Sequence, residues 1–182
     1  YSPRRVDIAG GGRQTIRISA RRPKDLVDGE YLSHLVFKEI PIKKEREKKD
    51  GDETFSVSIN PVLKIAIPII VRKGELSAVA ALKSPRFDID DSKNGSVLFQ
   101  LVGDGDASLY GDVEVFEIID GEVRDRVAYS KGVALYTNLE ERLVRQRLNK
   151  PLSENASALL VRYDEDEKYG GSNFLEYTLT IK

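Results

Sequence analysis

The side chains that could do chemistry are few and widely spaced. The chain of 182 residues contains one histidine and no cysteine, so it offers no thiolate nucleophile, no disulfide and no zinc-type cluster. His34 lies in a segment that reads as a strand, where a packing or surface role is favoured over a catalytic one. No Ser, His and Asp arrangement can be argued from one histidine on a strand. We therefore expect no catalytic residue, no cofactor and no enzymatic activity.

Two acidic clusters could supply oxygen ligands. Asp88, Asp90 and Asp91 alternate near a turn, and residues 164–167 read Asp-Glu-Asp-Glu. Carboxylates bind calcium, but the second cluster lacks the ligand spacing of a known calcium loop, so a solvated hairpin tip is favoured. The three glycines at 10–12 join two strand-like segments and open no helix, which argues against a phosphate site. We predict no metal site.

A long apolar stripe is the strongest signal in the chain. Every odd position from Phe55 to Val71 is apolar, which places these side chains on one face of an extended strand. At about 3.3 Å per residue the strand would be about 55 Å long, roughly three times the usual length. Pro61 and Pro68 favour an edge strand, and an apolar edge strand favours pairing with another chain. The candidate binding residues are Phe55, Val57, Ile59, Leu63, Ile65, Ile67 and Ile69.

Composition excludes several classes of function. The chain has 29 Lys plus Arg against 30 Asp plus Glu, a formal charge of -1, so no global field favours nucleic acid. No apolar run reaches the roughly 18 residues of a transmembrane helix, and no signal-peptide pattern is present. The chain begins at Tyr1 and contains no Met, which leads us to expect that residues were removed from its N-terminus. Without cysteine, the redox compartment is left open.

The first part of the chain, residues 1–73, contains signals for about four strands. Residues 4–8 and 14–18 flank the glycines and predict a hairpin. Tyr31–Ile40 predicts a third strand, and the stripe is the fourth. Residues 43–54 are dense in charge and predict a solvated loop. Four strands are too few for a closed sandwich, so we expect this domain to be incomplete.

The second part, residues 74–182, predicts an immunoglobulin-like sandwich of short strands separated by Gly, Asn and Asp turns. Leu139–Leu148 is the exception, because its strong helix formers fit a short helix as well as a strand with its loop. The predicted fold is therefore all-β, with two immunoglobulin-like β-sandwich domains, the first incomplete. The predicted strands are 76–82, 97–102, 113–119, 126–128, 133–136, 158–163 and 174–181.

A structural motif is also predicted before the third strand. Asp28-Gly29-Glu30-Tyr31 resembles a tyrosine corner, in which a phenol hydroxyl bonds back to the backbone. Asp28 and Tyr31 would then be structural residues.

The order of four segments resembles the periplasmic chaperones of the chaperone/usher pilus pathway, most closely the archaic branch. The similarity is concentrated in residues 1–74 and is carried by four runs: Tyr1-Ser2-Pro3-Arg4-Arg5-Val6, Gly11-Gly12-Arg13-Gln14-Thr15-Ile16-Arg17, Asp28-Gly29-Glu30-Tyr31-Leu32-Ser33-His34-Leu35-Val36-Phe37-Lys38-Glu39-Ile40-Pro41 and Ile67-Pro68-Ile69-Ile70-Val71-Arg72.

The resemblance implies a periplasmic chaperone that lends an edge strand to pilus subunits and delivers them to an outer-membrane usher. Relatives anchor the subunit's carboxylate with an Arg on the first strand and a Lys on the lent strand, where Pro68 stands here. The basic candidates for this role are Arg4, Arg5, Lys64 and Arg72. A form lacking its first strands is expected to pair with itself through the exposed stripe. The competing interpretation is a structural or adhesive immunoglobulin- or fibronectin-like module without chaperone activity.

Overall fold

The computed structural model describes residues 1–41, 59–90 and 95–181. Within these ranges the chain forms antiparallel strands and one turn of 3-10 helix at Glu167–Tyr169, so the predicted all-β sandwich fold is confirmed. The strands are β1 (Gly29–Lys38), β2 (Lys64–Lys73), β3 (Ala78–Ile89), β4 (Gly95–Gly105), β5 (Leu109–Ile119), β6 (Glu122–Leu135), β7 (Glu141–Arg147), β8 (Ala158–Glu165) and β9 (Phe174–Thr180).

The chain divides into two compact units. The first unit contains residues 1–23 and 31–71, and the second contains residues 24–30 and 72–182. Residues 24–30 thus fold with the second unit, although they precede the predicted boundary at residue 74. The idea that the first unit is part of a larger immunoglobulin-like domain stays a prediction.

The second unit is a sandwich of two antiparallel sheets. One sheet has the order β3-β4-β7 and the other the order β6-β5-β8-β9. In immunoglobulin lettering these are strands A-B-E and C′-C-F-G. Alternate residues of the central strands point between the sheets, so the core combines Val97, Phe99 and Leu101 of β4 with Leu159 and Val161 of β8, all fully buried.

Leu139–Leu148 contains β7 and is not helical. Val144 and Gln146 are buried while Leu143 and Arg145 are exposed, the period-two pattern of a strand. Pairing of the whole length of β7 with residues 96–102 of β4 outweighs the local helix propensity of this segment. The two short strands predicted at 126–128 and 133–136 are parts of one long strand, β6.

The turn between β5 and β6 follows its sequence signal. Asp120 and Gly121 have φ values of 53° and 79°, so both central residues are left-handed, as a type I′ hairpin requires. Asp104-Gly105, by contrast, ends β4 and is not a two-residue hairpin turn. Asn94 of the Asn94-Gly95 signal lies outside the described residues.

The first unit contains residues 31–38 of β1, residues 64–71 of β2 and a short loop-rich segment, while the remaining two residues of each strand belong to the second unit. Ser2 and Arg17 form an isolated antiparallel bridge, and Gly12 N–H donates to the Ala9 carbonyl. The hairpin predicted from residues 4–8 and 14–18 is wrong, because pairing in this segment does not extend beyond the one bridge and neither strand is formed. No described residue of the first unit is buried. All the fully buried side chains among the described residues therefore lie in the second unit.

Candidate functional site

The apolar stripe occupies β2 and the residues just before it. Ile59 is 85% exposed and Leu63 62%, while Ile65 and Ile67 are both nearly half exposed and Ile69 is partly buried. The strand itself begins only at Lys64 among the described residues, so the predicted continuous strand is wrong for residues 59–63. Pro61 lacks the N–H that a ladder there would use. Phe55, Val57 and the charged segment 43–54 lie outside the described residues.

The backbone direction of β2 follows from its pairing with β1. Glu39 N–H donates to the Leu63 carbonyl at 2.9 Å, and Leu63 N–H donates to the Glu39 carboxylate at 3.1 Å. Leu63 therefore turns both backbone groups towards β1. The pairing is antiparallel, because Glu39 meets Leu63 near one end of the strands while Glu30 meets Arg72 near the other. The backbone N–H and C=O groups of successive strand residues point to opposite edges. Those of the odd residues of β2 therefore point to β1, and those of the even residues point to the other edge.

The second edge of β2 is free within the part of the chain that the structure describes, where its sheet contains β1 and β2 alone. The even residues Lys64, Ala66 and Ile70 direct their N–H groups to this edge. Pro68 has an even number as well, which explains how a proline fits inside this strand without costing a bond to β1. Among the described residues this edge has no partner strand, so its backbone donors and acceptors are a template for another strand.

A groove of about 880 Å³ lies in the first unit, and the stripe forms part of its wall. Leu35 and Phe37 of β1 and Ile65 of β2 are among the residues that line it. Ile8 and Ile16, from the segment before β1, also contribute to the lining. Because the unit has no buried residue, this apolar surface is not covered by the described part of the first unit.

The four basic candidates occupy three different environments. Arg4 and Arg5 line the groove, and the Arg4 guanidinium lies 5.8 Å from the centre of the Tyr1 ring. Lys64 is exposed at the start of β2. Arg72, in the second unit, donates to the carboxylate of Glu30 at 2.9 Å and to the carbonyls of Ser108 and Tyr169. Its guanidinium is therefore already engaged by three hydrogen-bond acceptors.

Glu30 is the centre of the network that holds Arg72. Its side chain is 1% exposed and accepts hydrogen bonds from the Ser108 N–H at 2.8 Å, the Ser108 hydroxyl, Thr137 and Arg72. Burial alone would raise the pKa of Glu30, but the bonds from Ser108 and Arg72 outweigh it and hold the pKa below its usual value. The carboxylate is thus kept ionised inside the protein.

Glu30 has no predicted role of its own in the sequence. It lies inside the segment that resembles a tyrosine corner, and its partner Ser108 is 78 positions away in the chain. A buried carboxylate needs several donors, and no local pattern indicates where they come from. Asp28 pairs with Lys73 at 3.2 Å, and the tyrosine-corner role of Tyr31 stays a prediction.

The acidic clusters have structural partners. Asp88 pairs with Arg145 at 3.6 Å, Asp166 caps the 3-10 turn by accepting from Lys168 N–H, and Glu165 accepts from the Asn173 side chain at 2.7 Å. Asp91 lies outside the described residues. Among the described residues no group of three His, Cys, Asp or Glu side chains could hold a metal ion. No described helix is both long and apolar enough to cross a membrane.

Comparison with known proteins leaves the family open. No family model and no curated protein match the chain. One solved structure with some similarity is a β-glucosidase, DesR from Streptomyces venezuelae, in complex with D-glucose, at 10% identity and a TM-score of 0.37. The match covers 59% of this chain and 15% of the glucosidase. A likeness this weak carries no argument about function.

Proposed function

We propose that this chain is a periplasmic chaperone that binds pilus subunits by lending them β2 as an additional strand. The observation that carries the proposal is the edge of β2 that no described strand covers, beside a half-exposed apolar stripe, in a unit whose described residues include none that is buried. A subunit whose own sandwich lacks a strand has the complementary surface, a row of unpaired backbone groups beside an open apolar groove. The resemblance of residues 1–74 to chaperones of the chaperone/usher pathway supports the same assignment.

The stripe has apolar surface left to bury in a complex. Full burial of a Leu or Ile side chain contributes about 1.5 to 3 kcal/mol, and Leu63, Ile65 and Ile67 each have about half of their surface left to bury. Each therefore contributes about 1 kcal/mol in a complex, in addition to the backbone hydrogen bonds of the new ladder. No nucleotide is needed, because release follows when a neighbouring subunit's strand replaces β2.

The groove arginines fit the anchor role better than Arg72. A subunit's C-terminal carboxylate would accept charge-assisted hydrogen bonds from Arg4 or Arg5 beside the apolar wall. Arg72 already has a buried carboxylate and two carbonyls as partners. The outer-membrane usher, as recipient of the loaded subunit, follows from the resemblance alone.

The same edge allows a second copy of the chain to bind. Two β2 strands could pair where no subunit is present, which would cover part of the stripe. We therefore propose that self-association and subunit binding compete for one edge.

A pull-down tests the proposal. The full chain is co-expressed with a pilin encoded beside its gene, and the pilin retained by the chain is measured. We expect Ile65→Asp with Ile67→Asp to abolish retention, because two charges would enter an apolar groove. The matched control is Leu143→Asp, an exposed leucine on a strand of the second unit, which should retain the pilin. Undiminished retention by the double variant, with folding intact, would refute the proposal and favour a structural module.

A further inference from the structure

Pro68 occupies the one kind of position in β2 where a proline alters pairing with a new strand and leaves the pairing with β1 intact. Leu63 turns its backbone groups towards β1 through both bonds to Glu39. The backbone groups of the even residues, including the backbone nitrogen and carbonyl of Pro68, therefore point to the free edge. The register is supported at the other end of the sheet, since it places Glu30 opposite Arg72 and their side chains bond at 2.9 Å.

The stripe is self-complementary apart from this proline. In an antiparallel pair of β2 strands centred on Ile67, Ile65 of each copy lies opposite Ile69 of the other, and Leu63 lies opposite Val71. All these side chains share one face, and the backbone groups of the even residues face each other, as a hydrogen-bonded ladder needs. The side chains of β2 thus favour pairing between two copies.

The backbone of β2 disfavours the pairing between two copies that its side chains favour. In the pair centred on Ile67, Pro68 of each copy lies opposite Ala66 of the other, so the carbonyl of Ala66 finds no donor. Two-fold symmetry repeats this loss, and the self-pair lacks two hydrogen bonds. A subunit strand that pairs with one β2 meets one Pro68 and lacks a single bond.

We infer that Pro68 is a specificity-determining residue, which weakens pairing between two copies of the chain more than pairing with a subunit strand. The inference rests on the proposed function for its subunit part, whereas the self-pairing part depends only on the free edge. A prolyl residue at an edge is a known protection against unwanted strand pairing. Here the symmetry of the self-pair doubles the effect.

Pro68→Ala in the full chain tests this. One restored hydrogen bond corresponds to about a fivefold change in affinity, so we expect subunit binding to tighten about fivefold and self-association about 25-fold. Self-association is measured by sedimentation over a range of concentrations, and subunit binding by titration with the neighbouring pilin. Ala66→Pro is the opposing variant, since it removes a second donor from the same edge and should weaken both.

The two measurements separate the possible failures. Tightened self-association without any pilin binding would overturn the proposed function and leave the free-edge argument standing. Equal changes in both measurements would overturn the specificity role of Pro68. Unchanged self-association in Pro68→Ala would also overturn it, because the symmetric ladder would then be absent.

Discussion

Replacement of Glu30 gives the most quantitative test of how the second unit is built. Glu30→Ala removes a carboxylate that is 1% exposed, together with its bonds from Ser108 N–H and Arg72. Breaking a buried ion pair costs about 3 to 5 kcal/mol. Arg72 is 29% exposed and keeps the carbonyls of Ser108 and Tyr169, which favours the lower end. We expect the free energy of unfolding to fall by about 3 kcal/mol.

The dependence on pH separates the charge from the shape of the side chain. Glu30→Gln preserves the shape and one acceptor oxygen, so we expect a loss of about 1.5 kcal/mol at neutral pH. Because the folded-state pKa of Glu30 is lowered, its contribution is complete above the usual pKa of 4.5 and disappears as the pH falls through the folded-state value. The difference between wild type and Glu30→Gln should therefore shrink below about pH 4.5.

Urea unfolding followed by circular dichroism measures both effects. The matched control is Glu122→Gln, whose carboxylate pairs with Arg124 but is 67% exposed, and which should change stability by less than about 0.5 kcal/mol. If Glu30→Ala behaves like this control, the buried network does not stabilise the unit. A difference between wild type and Glu30→Gln that stays constant from neutral to acid pH would contradict the role given to the charge.

Two further predictions concern the sandwich, and both are checked by the same unfolding measurement. Leu101→Ala should lower the free energy of unfolding by about 2 to 5 kcal/mol because Leu101 is fully buried, whereas Leu143→Ala, on an exposed side chain, should change it by less than about 0.5 kcal/mol. Comparable losses of unfolding free energy in the two variants would show that Leu101 is not a core residue. Gly121→Ala should cost about 1 kcal/mol, since φ at this turn is 79°, and an unchanged midpoint would contradict the type I′ turn.

Local signals in the sequence predicted the second unit well where backbone chemistry decides the structure. Asp120-Gly121 tolerates left-handed backbone at both positions, and the hairpin forms there as expected. Leu139–Leu148 was ambiguous because helix propensity is local, whereas pairing of β7 with β4 depends on residues about 45 positions away. Local helix propensity and long-range strand pairing cannot be weighed against each other from the sequence alone.

The candidate site was predicted in part. The apolar alternation identified the exposed residues of β2, but it also extended the strand back across Pro61, where the ladder is absent from the described residues. The alternation does not show which edge of β2 the backbone nitrogen of Pro68 faces. The bonds between Leu63 and Glu39 show it, because they establish which backbone groups point to β1. Arg72 looked equivalent to Arg4 and Arg5 in sequence, because Glu30 and Ser108 become its neighbours only through the fold.

Amide hydrogen exchange at single residues of β2 tests the central claim most directly. In the free chain the N–H groups of Lys64, Ala66 and Ile70 face an unpaired edge and should exchange rapidly, whereas those of Ile65 and Ile67 are bonded to β1 and should exchange more slowly. Addition of the neighbouring pilin should slow exchange at Lys64, Ala66 and Ile70 specifically. Binding of the pilin without added protection at these three amides would contradict strand donation by β2.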